Sequence, residues 1–431
     1  MTLKKTCAML MTALMAVLLS GCGAEAQLRK GDQKYALGEY TDAAVFYKRA
    51  YSSTPSSEKA LRAERAFILA ECYRKVGYVP RAMAAYQNAA RYHYPDSTMY
   101  RYLGDMQLMN GNVKDARKNY EIALEWNPDD ILAANGLKSC DLAKEWKENP
   151  TRYTVRKDNV MSSRFSDYSP AFGSEDYSRL YFTSTRNESE GDELNGITGM
   201  KSSDVFMSEL DEKGKWKKPV RVEGVNTQYE DGSTAFSPDF QTMYITRCET
   251  DPQVPRPARI FKSGRSDASW GEASPYGTSQ DSVYSYAHPA LSPDGKWIYF
   301  VSDMDGGQGG LDIWRVQLGE RMIGAENLGP EINAPGNGMF PVFRSNGDLY
   351  FSSDGHPGMG GLDLFFAHEE SNGHWTVTNM KYPVNSNADD FGMCRAANLA
   401  VMDLFKKIKK EFKPLFKLIH IKKEIPNEKG G

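Results

Sequence analysis

Residues 288–303 read HPALSPDGKWIYFVSD. A short apolar strand, a Ser-Pro-Asp-Gly turn and a second strand rich in aromatic residues follow one another without a spacer. The Asp-Gly pair supplies the positive φ that a tight connection between two strands needs. The same plan occurs three more times, as SPAFGSEDYSRLYFTSTR from Ser169, STAFSPDFQTMYITRC from Ser233 and FPVFRSNGDLYFSSD from Phe340. A third strand follows each copy: DVFMSEL (204–210), RIFKSGR (259–265), LDIWRV (311–316) and LDLFFA (362–367). The reference position moves from Ala171 to Ala235, Ala290 and Val342, in steps of 64, 55 and 52 residues.

Short strands with turn chemistry between them, repeated at this period, indicate the blades of a β-propeller. SPDGKWIYF in particular resembles the WD40-like repeat of the TolB and prolyl-oligopeptidase propellers. The resemblance implies a propeller-like domain over 151–394, with about four blades and a stub that opens at NADDFGM (387–393). His288 reads as a hydrogen-bonded turn residue rather than a base. Asp204, Asp312 and Asp363 recur at the entrance to the third strand and read as turn caps. The Gly-rich stretches 303–312 and 354–363 do not match the D-x-[DN]-x-[DN]-G calcium loop and read as inter-strand connections. No G-x-S-x-G, H-E-x-x-H or phosphate-loop pattern occurs. The catalytic half of the prolyl-oligopeptidase comparison is therefore missing, and the expectation is a non-enzyme with no cofactor and no metal site. A propeller-associated peptidase or glycan-processing enzyme is the alternative.

Upstream the composition is different. Ala43, Tyr47, Ala50 and Pro55 recur at the same spacing as Ala116, Tyr120, Ala123 and Pro128, and Ala82, Tyr86 and Ala89 follow the pattern with Pro95 one residue late. Gly31, Ala70 and Gly104 stand upstream of each copy, where two helices would approach closely, and Gly38, Gly77 and Gly111 would turn the chain. Small alanines let antiparallel helices touch, the tyrosine fills the gap between them, and proline ends the second helix. This resembles the tetratricopeptide repeat. It implies an α-solenoid over 22–148, closed by a capping helix at 131–146. The resemblance places Asp32, Glu71, Arg74, Arg101 and Asp105 on the concave face, where the family binds peptide segments. The alternative is a solvated charged surface. The fold class is thus α + β multidomain, an N-terminal solenoid followed by an all-β propeller.

The chain of 431 residues is long enough for both parts. Its net charge of −3 carries no nucleic-acid footprint. The first 21 residues have the make-up of a signal segment, with Lys4 and Lys5 ahead of a short apolar run. That run ends in Leu19-Ser20-Gly21-Cys22, which resembles the bacterial lipobox and implies cleavage before Cys22 and its lipidation, hence a membrane anchor. With Cys7 in the signal, Cys72, Cys140, Cys248 and Cys394 remain as scattered thiols without zinc spacing.

Residues 395–431 change character. They hold ten Lys/Arg against four Asp/Glu, a net of +6 that leaves −9 on the rest. Val401, Leu404, Phe405, Ile408, Phe412, Leu415, Phe416 and Ile419 recur at helical spacing. Three readings fit this basic amphipathic tail: a rearranged end that interrupts further blades, a helix for a membrane or partner, or a cover for the last blade's open edge. A lipobox, tetratricopeptide repeats and WD40-like blades in this order resemble envelope lipoproteins of the Bacteroidetes, including one that serves type IX secretion and gliding. The resemblance implies a scaffold at the periplasmic face of the outer membrane, with envelope or secretion-system proteins as partners. Those proteins continue into an OmpA-like domain. Its residues have no counterpart here, so peptidoglycan binding is not carried over.

Overall fold

The computed structural model describes residues 23–190, 194–266, 269–278, 283–395, 401–407 and 414–421; the expected signal segment and Cys22 lie outside the described residues. Helices come first and a β-propeller follows. Contacts divide the chain into two units. One holds the chain to Asp130 with the loops Leu194–Met200 and Asp251–Pro255; the other holds Ile131–Glu193, Lys201–Thr250 and the chain from Arg256.

The first unit contains α1 (23–36), α2 (Tyr40–Ser53), α3 (Lys59–Lys75), α4 (Val79–Arg91), α5 (Thr98–Met109) and α6 (Val113–Trp126). Ala43, Ala50, Ala82, Ala89, Ala116 and Ala123 are all fully buried, as are Tyr47, Tyr86 and Tyr120. Turns at Gly38, Gly77 and Gly111, with φ of 77°, 71° and 81°, join α1 to α2, α3 to α4 and α5 to α6. The first-turn N–H groups of Thr41 and Asp42, which α2 cannot satisfy itself, donate to the Gly196 carbonyl at 3.0 and 3.3 Å.

The closeness of the helix pairs is measurable at Gly104. A Cβ there would stand 2.7 Å from Tyr120 Cε1. The ring cannot swing away freely, because it is buried and its hydroxyl donates to Asp105 Oδ1 at 2.8 Å. Gly104→Val should therefore destabilise the repeats by about 1–3 kcal/mol through overpacking. A melt followed by helical circular dichroism checks this, and an unchanged midpoint would mean that the repeat register is wrong.

The second unit begins with α7 (Ile131–Glu148). The boundary thus falls ahead of the helix expected to cap the array. Asn135 Nδ2 donates to the Gly355 carbonyl at 2.8 Å, and Ser139 Oγ accepts the Gly358 N–H at 2.9 Å. α7 is thereby fastened to the Gly-rich loop between two strands of blade 4.

Blade 1 runs Asp167–Phe172, Arg179–Ser184, Asp204–Glu209 and Val220–Arg221. Blade 2 runs Glu230–Phe236, Thr242–Cys248, Arg259–Ser266 and Ser274–Pro275, with Ser269–Trp270 also paired to its third strand. Blade 3 runs Tyr286–Leu291, Trp297–Ser302, Asp312–Gln317 and Glu326–Asn327, and blade 4 Gly338–Phe343, Leu349–Ser353, Asp363–Glu369 and Trp375–Asn379. Phe182, Phe206, Phe300 and Phe351 from the inner pairs of strands are at most 1% exposed and build the cores of and between blades.

The stub and tail differ from the sequence expectation. Asp390–Arg395, Val401–Lys407 and Pro414–Ile421 form three strands of a fifth sheet, and Tyr153–Lys157 supplies its outer edge, pairing Tyr153 with Ile421 and Lys157 with Lys417. First strands of consecutive blades touch around the ring, and Asp390–Arg395 returns to Asp167–Phe172. The helical reading of 395–431 fails where it was most specific. Pro414 would break a helix running through Leu415 and Ile419, while the edges of Asp390–Arg395 and Tyr153–Lys157 offer unpaired backbone groups that only strands can satisfy. Of the residues in that helical pattern, Ile408 and Phe412 lie outside the described residues.

A polar framework repeats with the blades. Asp167 and Asp231, both fully buried, meet Arg186 Nη2 and Arg247 Nε at 2.5 and 2.6 Å, and each accepts the N–H of a residue four positions earlier. Asp204, Asp312 and Asp363 cap loops as expected: their Oδ2 atoms accept the N–H groups of Glu190, Gln308 and Met359. Asn226, Asn333 and Asn385 reach back to the third strand before them, each bonding both the N–H and the carbonyl of one residue there, Val205, Ile313 or Leu364. Burial pushes the Cys72 and Cys248 thiols up to about 12.

Candidate interaction surfaces

Of the five charged residues expected on the concave face, Glu71, Arg74, Arg101 and Asp105 are joined into one row through ion pairs and the Tyr102 ring, and Asp32 stands apart, bonded to Tyr47. Each repeat sets an acid on its first helix fifteen residues before the tyrosine of its second. Tyr47 donates to Asp32 at 2.9 Å, Tyr86 to Glu71, and Tyr120 to Asp105 at 2.8 Å. Burial, followed by the facing carboxylate, raises the Tyr47 and Tyr86 hydroxyls above the usual tyrosine range, so they remain donors. The acids are therefore partly structural: each satisfies a hydroxyl that would otherwise be buried unpaired.

The arginines extend the row. Arg74 makes a two-pronged contact with Glu71, through Nε at 3.2 Å and Nη2 at 2.7 Å. Burial opposes its charge, but Glu71, Tyr86 and Tyr102 outweigh it and raise its pKa further. Arg101 bonds Asp130 at 3.1 Å and approaches Asp105 at 3.8 Å. Both guanidiniums lie over the Tyr102 ring, 4.1 and 4.2 Å from its centre. Sequence reasoning missed Tyr102 and Asp130. A signal existed for the first, since Tyr102 neighbours Arg101 and would share the helix side reached by Arg74 from the preceding repeat. Asp130 lies in a loop, where spacing says nothing. Arg74, Arg101, Glu71 and Asp105 are half-buried and held in fixed geometry, and Asp32 is exposed.

In the propeller, the first strands line a central cavity of about 350 Å³. Each of these strands carries a bulge beside a residue of positive φ: Ser169, Ser233, His288, Phe340 and Gly392 at 53°, 48°, 48°, 52° and 64°. The bulge turns a residue of every blade toward the axis. His288 and Phe340 line the cavity and begin a chain of ring contacts that runs on through the fifth sheet to blade 1. His288 stacks on Phe340 at 3.8 Å between centres, Phe340 on Phe391 at 4.9 Å, and Tyr168 meets Phe391 edge-on at 6.3 Å. Phe172, Phe236, Leu291 and Phe343 also line the cavity.

His288 donates its backbone N–H to Thr246 Oγ1 at 2.9 Å, and its Nδ1 accepts the Phe340 N–H at 3.4 Å. Burial lowers its pKa to about 3, so the ring is neutral with the proton on Nε2. It serves as a stacked wall of the cavity, in line with the hydrogen-bonded role read from sequence. Among the described residues no cluster of three His, Cys, Asp or Glu side chains could hold a metal ion, and no helix is long and apolar enough to cross a membrane.

The tetratricopeptide-repeat family profile matches residues 69–131. No curated protein matches the chain. Among solved structures, the C-terminal TPR-containing domain of a Plasmodium falciparum FK506-binding protein is 20% identical, covering 30% of this chain and 92% of its own, with a TM-score of 0.27. A puromycin-hydrolyzing peptidase of Mycobacterium tuberculosis is 12% identical over 58% of this chain and 33% of its own, with a TM-score of 0.30. An alpha-L-arabinofuranosidase from Lactobacillus brevis is 10% identical over 51% and 78%, with a TM-score of 0.31. The repeats and the propeller are both architectures that mediate protein–protein interactions.

Proposed function

We propose that this protein is a non-catalytic scaffold, anchored by lipid at Cys22 to the periplasmic face of the outer membrane, where it holds components of an envelope or secretion assembly of the type IX kind. The observation that carries the scaffold reading is the row Glu71–Arg74–Tyr102–Arg101–Asp105. Its guanidiniums and carboxylates are fixed by one another, so a peptide meets a surface already ordered, and little entropy is lost on binding. The anchor rests on Leu19-Ser20-Gly21-Cys22, and the outer-membrane address on the order of the parts. The non-catalytic reading is supported by His288, whose neutral, stacked ring has its Nδ1 engaged.

Two measurements test the proposal. Cys22→Ala should move the protein from the membrane fraction to the soluble periplasm or leave it as precursor; unchanged fractionation would remove the anchor. Crosslinking in cells should then identify partners held by the wild type and lost in Arg101→Ala, because removing one side of a half-buried charged contact costs about 2–5 kcal/mol of binding. Turnover of a peptide or glycan substrate by the purified protein would favour the enzyme reading instead.

A further inference from the structure

The repeat unit carries a second groove that the concave row does not use. It follows one face of α2 and is closed by the turn between α3 and α4, enclosing about 560 Å³. Thr41, Ala44, Val45, Lys48, Arg49 and Ser52 lie at spacings of three and four along α2 and form a single stripe of about 16 Å. The floor is apolar: Ala44 and Tyr73 are buried, and Val45 is 46% exposed although it is a large aliphatic residue. Tyr78 and Arg81 stand on the opposite wall.

The charge on this groove has one sign. Lys48, Arg49 and Arg81 line it, and no Asp or Glu does. Arg81 rests over Tyr78 and Tyr73, 5.1 and 5.9 Å from the ring centres, and Arg49 over Phe46 at 5.8 Å. Among the described residues none of the three cations has an ion pair. The two acids at the start of α2 are engaged elsewhere: Glu39 and Asp42 both pair with Lys34. The contrast with the concave row is direct, since Arg74 and Arg101 are already neutralised by Glu71, Asp105 and Asp130.

We infer that this groove is a docking site for an acidic segment of a partner protein, one that sets an apolar side chain against Ala44, Val45 and Tyr73 and carboxylates beside Lys48, Arg49 and Arg81. The apolar floor supplies affinity through burial. The cations select an acidic sequence and speed its capture. An uncharged apolar segment would strand three cations against it, and a basic one would be repelled. This site is separate from the concave row and stands or falls independently of it.

The test uses the purified chain and a fluorescein-labelled peptide with a Leu-Phe pair flanked by glutamates, beside the same peptide with glutamines. Anisotropy should show saturable binding of the Glu peptide, at least about tenfold weaker binding of the Gln peptide, and loss of affinity as salt rises from about 50 to 500 mM. Lys48→Glu/Arg49→Glu/Arg81→Glu should weaken the Glu peptide at least about tenfold. All three side chains are exposed, so circular dichroism should show the helices intact. Arg74→Ala should leave binding unchanged. Equal affinity for the two peptides, insensitivity to the triple reversal, or loss through Arg74→Ala alone would each overturn the inference. So would sedimentation of the chain with phosphatidylglycerol vesicles that the triple reversal abolishes while peptide binding is unaffected; the groove would then face a membrane.

Discussion

Arg247→Leu should lower the stability of the propeller at pH 7.5 by about 3–5 kcal/mol, the usual cost of leaving one partner of a buried ion pair behind. Asp231 is 0% exposed and Arg247 7% exposed. Apart from the guanidinium, at 2.6 Å, the donors to its carboxylate are the N–H and hydroxyl of Thr227, both at 2.7 Å. The arginine also donates to the Val225 carbonyl at 2.9 Å and lies over Phe261 at 4.4 Å, so its loss strips two further contacts.

The pH dependence identifies the cause. Burial already raises the Asp231 pKa above the ordinary carboxylate value, against the pull of Arg247. A carboxyl whose folded pKa lies above its unfolded one favours the folded state below the unfolded pKa, and that contribution is lost as pH rises through the folded pKa. Without the arginine the folded pKa climbs further. The deficit of the variant relative to wild type should therefore shrink as pH falls toward 5, and Asp231→Asn/Arg247→Leu should recover part of it at neutral pH. Melting curves at the two pH values check both statements. A deficit that is the same at both and not relieved by the asparagine would mean that packing against Phe261, rather than charge, sets the loss.

Much of this architecture was readable because it repeats. The third strands expected at 204–210, 259–265, 311–316 and 362–367 are found at Asp204–Glu209, Arg259–Ser266, Asp312–Gln317 and Asp363–Glu369. There the aromatic run, the turn and the period all agree. The outer strands Val220–Arg221, Ser274–Pro275 and Glu326–Asn327 are two residues long and show no alternation; they exist because a third-strand edge needs partners. The tail was misread for a related reason. A 3-4 pattern of apolar residues in a lysine-rich run fits a helix when the run is considered alone. Its conformation is decided by the edges of Asp390–Arg395 and Tyr153–Lys157, which are distant in sequence. Pro414 was the local signal against a helix. In the repeats the register brought Glu71, Arg74, Arg101 and Asp105 near one another, since helix geometry sets their spacing. The acid-to-tyrosine hydrogen bonds also follow that register, fifteen residues apart in every repeat, whereas Asp130 depends on a loop whose path the register does not reach.

Removing residues 396–431 should have the largest effect on the propeller. The deletion takes away the two strands that stand between Asp390–Arg395 and Tyr153–Lys157. Tyr153–Lys157 would then have lost all five of its paired residues, Tyr153 with Ile421 through Lys157 with Lys417. The edge of Asp390–Arg395 that faced Val401–Lys407 would be bare as well. Two open edges on one domain invite pairing with other chains. The shortened protein should therefore elute as a range of associated species, and its β-unit should melt earlier and less cooperatively than that of the full chain. The full chain should be a single species under the same conditions. A second variant separates loss of pairing from loss of chain. Thr154→Pro/Arg156→Pro removes backbone N–H donors from the Tyr153–Lys157 edge and leaves the tail in place. If closure of the ring holds the domain together, this variant should shift in the same direction, by less. A shortened chain that remains monomeric and melts as sharply as the full one would show that the first four blades hold their ring without the fifth sheet.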